Sequence, residues 1–149
     1  MPEQIPITHT KIIIPQRRKG LLTRPRLLEM LNDLLDYKLT IIAAPAGYGK
    51  TSLVIDFADK YDWPVCWIAL DPLDKDLWRF LAYFIAAIQY KFKNFGHASQ
   101  SALHSMSADQ INIDFMVTTI TNDIFENIPE HFVIVLDDYH LINDGKKDE

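Results

Sequence analysis

From Leu39 onward, short apolar runs alternate with longer stretches in which apolar residues return every three or four positions. The runs Leu39–Ala43 and Val65–Leu70 each read as a strand, and the run from His131 to Leu136, rich in β-branched and aromatic residues, reads as a strand buried on both faces. Between them the period changes. Leu77, Phe80, Leu81, Phe84, Ile85 and Ile88 fall on one helical face. This helix is expected to end near Asn94–Gly96, with Gly96 as its C-cap residue. A helix carrying Leu53, Val54, Phe57 and Ala58 runs to about Lys60, and another runs from Asp109 or Asp114 to Asn127, ahead of Pro129. Upstream, Pro25 suits the start of a helix whose stripe is Leu27, Leu28, Leu31, Leu34 and Leu35. Residues 1–23 read as extended and proline-punctuated, with Ile12–Ile14 as a short strand or clamp, and residues 97–109 as a polar loop or broken helix. Strands alternating with helices predict parallel pairing and an α/β fold.

Chemistry enters at the end of the first strand. The segment Ala43-Ala-Pro-Ala-Gly-Tyr-Gly-Lys-Thr-Ser52 is a small-residue turn between a strand and a helix, and it holds Gly47 and Gly49, two of only five glycines in the chain. That is the layout of a phosphate-binding loop. The backbone of the loop can turn its N–H groups toward phosphate, Lys50 can reach the β- and γ-phosphates, and the Thr51 hydroxyl can ligate Mg²⁺. The amino end of the following helix adds its dipole there. Ala44 stands where the usual pattern has its first glycine. The bland alternative is a glycine-containing turn with an exposed lysine.

The third strand ends in Asp137-Asp138. Carboxylates at the carboxyl end of a strand in an open α/β sheet lie beside bound phosphates. Asp137 is the candidate Mg²⁺ ligand, and Asp138 the candidate that orients or deprotonates the attacking water. On its own, this pattern is also that of a strand followed by an acidic turn. Asp71, Asp74 and Asp76 precede a helix, where acids favour the amino end.

At 149 residues and 48% hydrophobic, the chain can bury one ordinary core. The net charge of −5 is uneven, since residues 1–38 carry seven Lys/Arg against four Asp/Glu. That surplus is too modest to argue nucleic-acid binding. The single Cys66 excludes an internal disulfide, and its apolar setting predicts a buried structural thiol, which fits a reducing cytoplasm. Pro2, Glu3 and Pro6 interrupt any signal-peptide core, and the apolar helical stretch Phe80–Ile88 is too short to span a bilayer.

Several segments together resemble the nucleotide-binding domain of MalT-like, LuxR-type large ATP-binding transcription regulators, the signal transduction ATPases with numerous domains. They are Thr10–Pro15 with Leu22–Leu28, the loop Ala43–Thr51, Val65–Asp71 with Asp74 and Arg79–Leu81, and Val135–Ile142. The resemblance implies a three-layer P-loop NTPase fold with a parallel sheet, cut off after the Walker B strand. It divides the chain into an extended segment 1–23, a partial nucleotide-binding domain 24–142 and a polar tail 143–149. It further implies ATP or ADP with Mg²⁺ as ligands, bound by Pro45, Ala46, Gly47, Tyr48, Gly49, Lys50, Thr51 and Ser52. Thr51 and Asp137 would hold the metal, and Asp138 would be catalytic. Arg24 is placed either near the nucleotide or at the surface, and His140 is read as structural. In such proteins ATP and an inducer favour a self-associating form, ADP holds a resting form, and slow hydrolysis resets the switch. Their DNA-binding domain lies at the far carboxyl end. They also place a further strand between the loop strand and the Walker B strand. As a piece of such a protein, the chain is expected to turn over little or no ATP. Two other readings compete: a P-loop kinase or nucleotide hydrolase acting on a small substrate, and a non-enzymatic module using nucleotide as structural glue.

Overall fold

A computed structural model describes residues 5–15, 39–44 and 50–141. The apolar runs become strands β1 (Leu39–Ala44), β2 (Val65–Ala69) and β3 (Phe132–Asp137). The periodic stretches become helices α1 (Lys50–Tyr61), α2 (Leu77–Lys91), α3 (His97–His104) and α4 (Ile113–Asn127). Short 3-10 turns cover His9–Lys11, Pro72–Lys75 and Tyr139–Leu141. The leucine-striped segment after Pro25 and the tail 143–149 lie outside the described residues.

The strands form a parallel sheet in the order β1-β3-β2. Registers run from Leu39 opposite Phe132 to Ala44 opposite Asp137, and from Val65 opposite Val133 to Ala69 opposite Asp137. β3 is central, and its alternation explains the uninterrupted apolar run. Val133 and Val135 join Val65 and Trp67 against Val54 and Phe57 of α1. Phe132, Ile134 and Leu136 turn the other way, with Cys66 and Ile68, against α2, α3 and α4. Both faces are covered, so polar residues have no place in the strand, and the period-two signal is hidden in an all-apolar run. The α/β architecture with a parallel sheet agrees with the sequence expectation. The further strand that the resemblance places between β1 and β3 has no counterpart among the described residues, where the two pair directly.

Helix ends follow local chemistry. The Asp76 carboxylate accepts the Arg79 N–H at 2.9 Å and starts α2, and Asn112 does the same for the Phe115 N–H at 3.0 Å to start α4. α1 stops at Asp62, which takes the left-handed conformation (φ 53°) and donates its N–H to the Ala58 carbonyl.

Two expectations change. Gly96 does not cap α2, whose last cap is Phe92. It stands in front of α3 instead, at φ 110°, where any side chain would be strained. The segment 97–109, which the sequence presents as a polar loop or broken helix, is in its first half the helix α3. Ser99 and Leu103 are its buried anchors. The Asp123 carboxylate, itself only 2% exposed, accepts the Ser99 N–H at 3.1 Å and the Ser99 hydroxyl at 2.6 Å. A cap supplied from α4 leaves no local trace in the sequence of α3.

The amino-terminal segment 5–15 forms no strand. Ile12 is buried in the core with Ile5 and Ile7 packed against it, so the segment clamps the α2 side of the sheet.

Candidate functional site

The parallel sheet sets the carboxyl ends of all three strands at one edge. At that edge Asp137 is the last residue of β3, and it lies opposite Ala44 of β1 and Ala69 of β2. Helix α1 opens with Lys50, Thr51 and Ser52 in its first turn, after the loop that leaves β1. The fold thus brings the end of the loop strand, the origin of the following helix and the first acid to one end of the sheet. Pro45, Ala46, Gly47, Tyr48, Gly49 and Arg24 lie outside the described residues.

Asp138 follows β3 in the left-handed conformation at φ 59°, and its carbonyl accepts the Leu141 N–H at 2.9 Å in the turn Tyr139–Leu141. For a non-glycine residue this backbone is uncommon, though aspartate tolerates it better than most. Its effect is directional. The chain leaves the extended conformation at Asp138 and turns there, so the alternation of the strand ends at Asp137. Both are partly exposed.

A second group of charges lies beside this edge. Asp71 starts the turn Pro72–Lys75 by accepting the Leu73 N–H at 2.8 Å, while Asp74 reaches back to the Asp71 N–H at 2.9 Å, completing a capping box. The helix-entry reading of these acids holds, but they do more. Lys11 donates to Asp71 at 3.0 Å and to Asp74, and Arg79 Nε donates to Asp74 at 3.2 Å. Burial pushes the Asp71 carboxyl up. The Lys11 and Leu73 hydrogen bonds, with the charges of Lys11 and Arg79, outweigh it and hold the group below the usual carboxylate value. The two acids are therefore matched by two cations. Among the described residues, no group of three or more His, Cys, Asp or Glu is placed to hold a metal ion. The sequence reading gives Lys11 no role; it enters there only as part of Thr10–Pro15, a segment that carries the resemblance.

Cys66 is buried on β2, and burial pushes its thiol up to about 12 against a lowering contribution from the Lys91 charge. It is a structural thiol rather than a nucleophile. Among the described residues no helix is long and apolar enough to cross a membrane.

No protein-family model matches the chain. It is 35% identical over 133 residues to the HTH-type transcriptional regulator MalT of Yersinia pestis (strain Pestoides F), and 35% identical over 134 residues to that of Yersinia enterocolitica. Each match takes in 89% of this chain but only 14% of the relative, so the chain spans about one seventh of the length of these curated proteins. In sequence, then, the chain is similar to one segment of these large transcriptional regulators.

Proposed function

We propose that the chain is the ATP- and ADP-binding switch segment of a signal-responsive transcription regulator. The observation that carries this reading is the register of β1 on β3. It sets the end of the loop strand at Ala44 beside Asp137, while α1 opens at Lys50. A loop leaving a parallel strand for a helix, next to a strand that ends in acids, is a polyphosphate site in physical terms. In such a site the loop's backbone donors and the helix dipole would face the phosphates, with an oxygen donor for a cation alongside.

The residues divide the work. Ala46 to Gly49, with Pro45 setting the turn, form the backbone cradle, and Lys50 neutralises the β- and γ-phosphates. Ser52, in the first turn of α1, belongs to the same helix amino end. The Thr51 hydroxyl and the Asp137 carboxylate are hard oxygen donors, a set that suits Mg²⁺. When bound, that ion would screen charge on the phosphates. Asp138, held in a left-handed backbone just past the strand end, orients a water and accepts its proton. Arg24 is assigned to the nucleotide by resemblance alone. In a complete protein the segment would hydrolyse ATP slowly and self-associate in the ATP-bound state, with DNA contacted by another domain and the inducer bound elsewhere. A reducing cytoplasm is the setting that fits the lone buried thiol.

The experiment is titration calorimetry of the 149-residue chain with ADP and with Mg²⁺-ATP, alongside Lys50→Ala. The variant is expected to bind at least about tenfold more weakly, about 1.4 kcal/mol. Equal binding by the two chains would remove the loop from the site. The alternative reading is phosphoryl transfer to, or nucleotide hydrolysis on, a small substrate. Separating the products of ATP turnover with and without candidate acceptors distinguishes transfer from hydrolysis.

A further inference from the structure

Lys11 is only 8% exposed, and its ammonium donates to three acceptors: the Ala69 carbonyl at 2.5 Å, Asp71 Oδ2 at 3.0 Å and Asp74 Oδ2 at 2.5 Å. A lysine has three N–H donors, and all three find an acceptor. An ammonium buried this far is tolerated only when it is paired and hydrogen-bonded throughout. The side chain of Asp74 is fully buried, and its other oxygen accepts from Arg79. The Tyr83 ring lies against both cations, 5.0 Å from the Lys11 ammonium and 5.2 Å from the Arg79 guanidinium. The Tyr83 hydroxyl accepts the Thr8 N–H at 3.2 Å. A segment about sixty residues away in sequence is thus fastened to one corner of the sheet.

The choice of corner matters. Ala69 ends β2 opposite Asp137, and the next residue, Leu70, donates its N–H to the Asp137 carbonyl at 3.0 Å. Lys11 therefore holds the backbone that braces Asp137 from the β2 side, while β1 braces it from the other side. Anchoring an arm needs only the apolar contacts of Ile5, Ile7 and Ile12, which are present already. The ion cluster adds a fixed position for the strand end.

We propose that Lys11 is a positioning residue for the phosphate site: it clasps the carboxyl end of β2 and thereby fixes the backbone of Asp137. This rests on the nucleotide reading above. Lys11 reaches the Asp137 backbone through Ala69 and Leu70, so its loss is felt where Asp137 works, in the Mg²⁺-dependent part of binding.

The test compares the 149-residue chain with Lys11→Met, which keeps the stem and removes the charge, and with Lys50→Ala. ATP affinity is measured with Mg²⁺ and with EDTA, and amide exchange is followed at Leu70 and at Val133, whose N–H bonds to the Pro64 carbonyl at the other end of the sheet. In Lys11→Met, Mg²⁺-ATP affinity is expected to fall about tenfold, while Mg²⁺-free affinity stays within about twofold. Leu70 exchange is expected to rise at least about tenfold with Val133 unchanged. Equal losses with and without Mg²⁺, or unchanged Leu70 exchange, would overturn the proposal. Should Lys11→Met fail to fold, Asp71→Asn removes one acceptor of the clasp and is expected to show the same pattern at smaller amplitude. If Lys50→Ala binds as well as the parent, the nucleotide reading fails. The Leu70 exchange then decides by itself whether Lys11 fixes this strand end.

Discussion

At the scale of single residues, the informative positions are those where a side chain is matched to one electrostatic surrounding. Asp71 is such a case. Its carboxyl titrates below the ordinary value of 3.8, through its hydrogen bonds to Lys11 and Leu73 and the charges of Lys11 and Arg79, which prevail over burial. A depressed folded-state value means that the ionised group stabilises the fold. That contribution is complete above the ordinary carboxylate range and is lost as pH falls through the lowered value. The effect is modest, because the Asp71 side chain is 40% exposed and solvent screens it. Denaturant unfolding of the parent and Asp71→Asn between about pH 7 and pH 2 checks it. The parent is expected to lose more stability than the variant below about pH 4, and parallel curves would show that the clasp does not depend on this ionisation. Asp138 makes a different point. Its side chain carries the proposed chemistry, while its left-handed backbone decides its direction, a feature no residue pattern announces.

At the scale of elements, α3 shows how a helix can be stabilised from outside its own sequence. Its N-cap is Gly96, which offers no side-chain acceptor, and Asp123 of α4 takes that role by accepting the Ser99 N–H and hydroxyl. Asn127 Nδ2 donates to the other Asp123 oxygen at 2.8 Å, so the buried carboxylate is satisfied on both sides. Removing it would leave buried donors without partners, at about 1–3 kcal/mol each. Asp123→Ala is therefore expected to lower stability by about 2–3 kcal/mol, seen as a lower denaturant midpoint with unchanged slope. A loss under about 0.5 kcal/mol would show that α3 stands without this cap. The same bond explains why residues 97–109 read as a polar loop or broken helix although 97–104 are helical. Their apolar content is low, and the stabilising group lies 24 residues away.

At the scale of the whole molecule, helices on both sides cover a sheet whose central strand is apolar on both faces. Cys66 sits inside this arrangement at 1% exposure, on the β2 face that meets the helices. Labelling by a thiol reagent is expected to require opening of the sheet: slow in the native chain, and accelerated by denaturant in step with global unfolding. Fast labelling under native conditions would contradict the packing of β2 against α2. The amino-terminal segment belongs to this scale as well. It contributes little regular structure, yet through Ile12 and Lys11 it joins the core and the charge cluster at once.

Much of this was written locally. The three strands, the helices at 50–61, 77–91 and 113–127, and the acids that begin α2 follow from period, capping residues and apolar runs, because each depends on neighbours a few positions apart. The pattern of Ala43–Ser52 and the Asp137-Asp138 pair are equally local, although the loop residues 45–49 lie outside the described residues. What only the tertiary structure decided are relations between distant positions. One is the order β1-β3-β2, which puts Ala44 and Ala69 on either side of Asp137. Another is the choice of inner face on α4. That helix buries Met116, Ile120 and Ile124 while Ile113, Val117 and Phe125 remain exposed, so its apolar residues alone did not say which side meets the core. The Lys11 clasp and the Asp123 cap are of the same kind. A charge is fixed by the burial and the partners that the fold brings to it, and those come from parts of the chain that no local pattern connects.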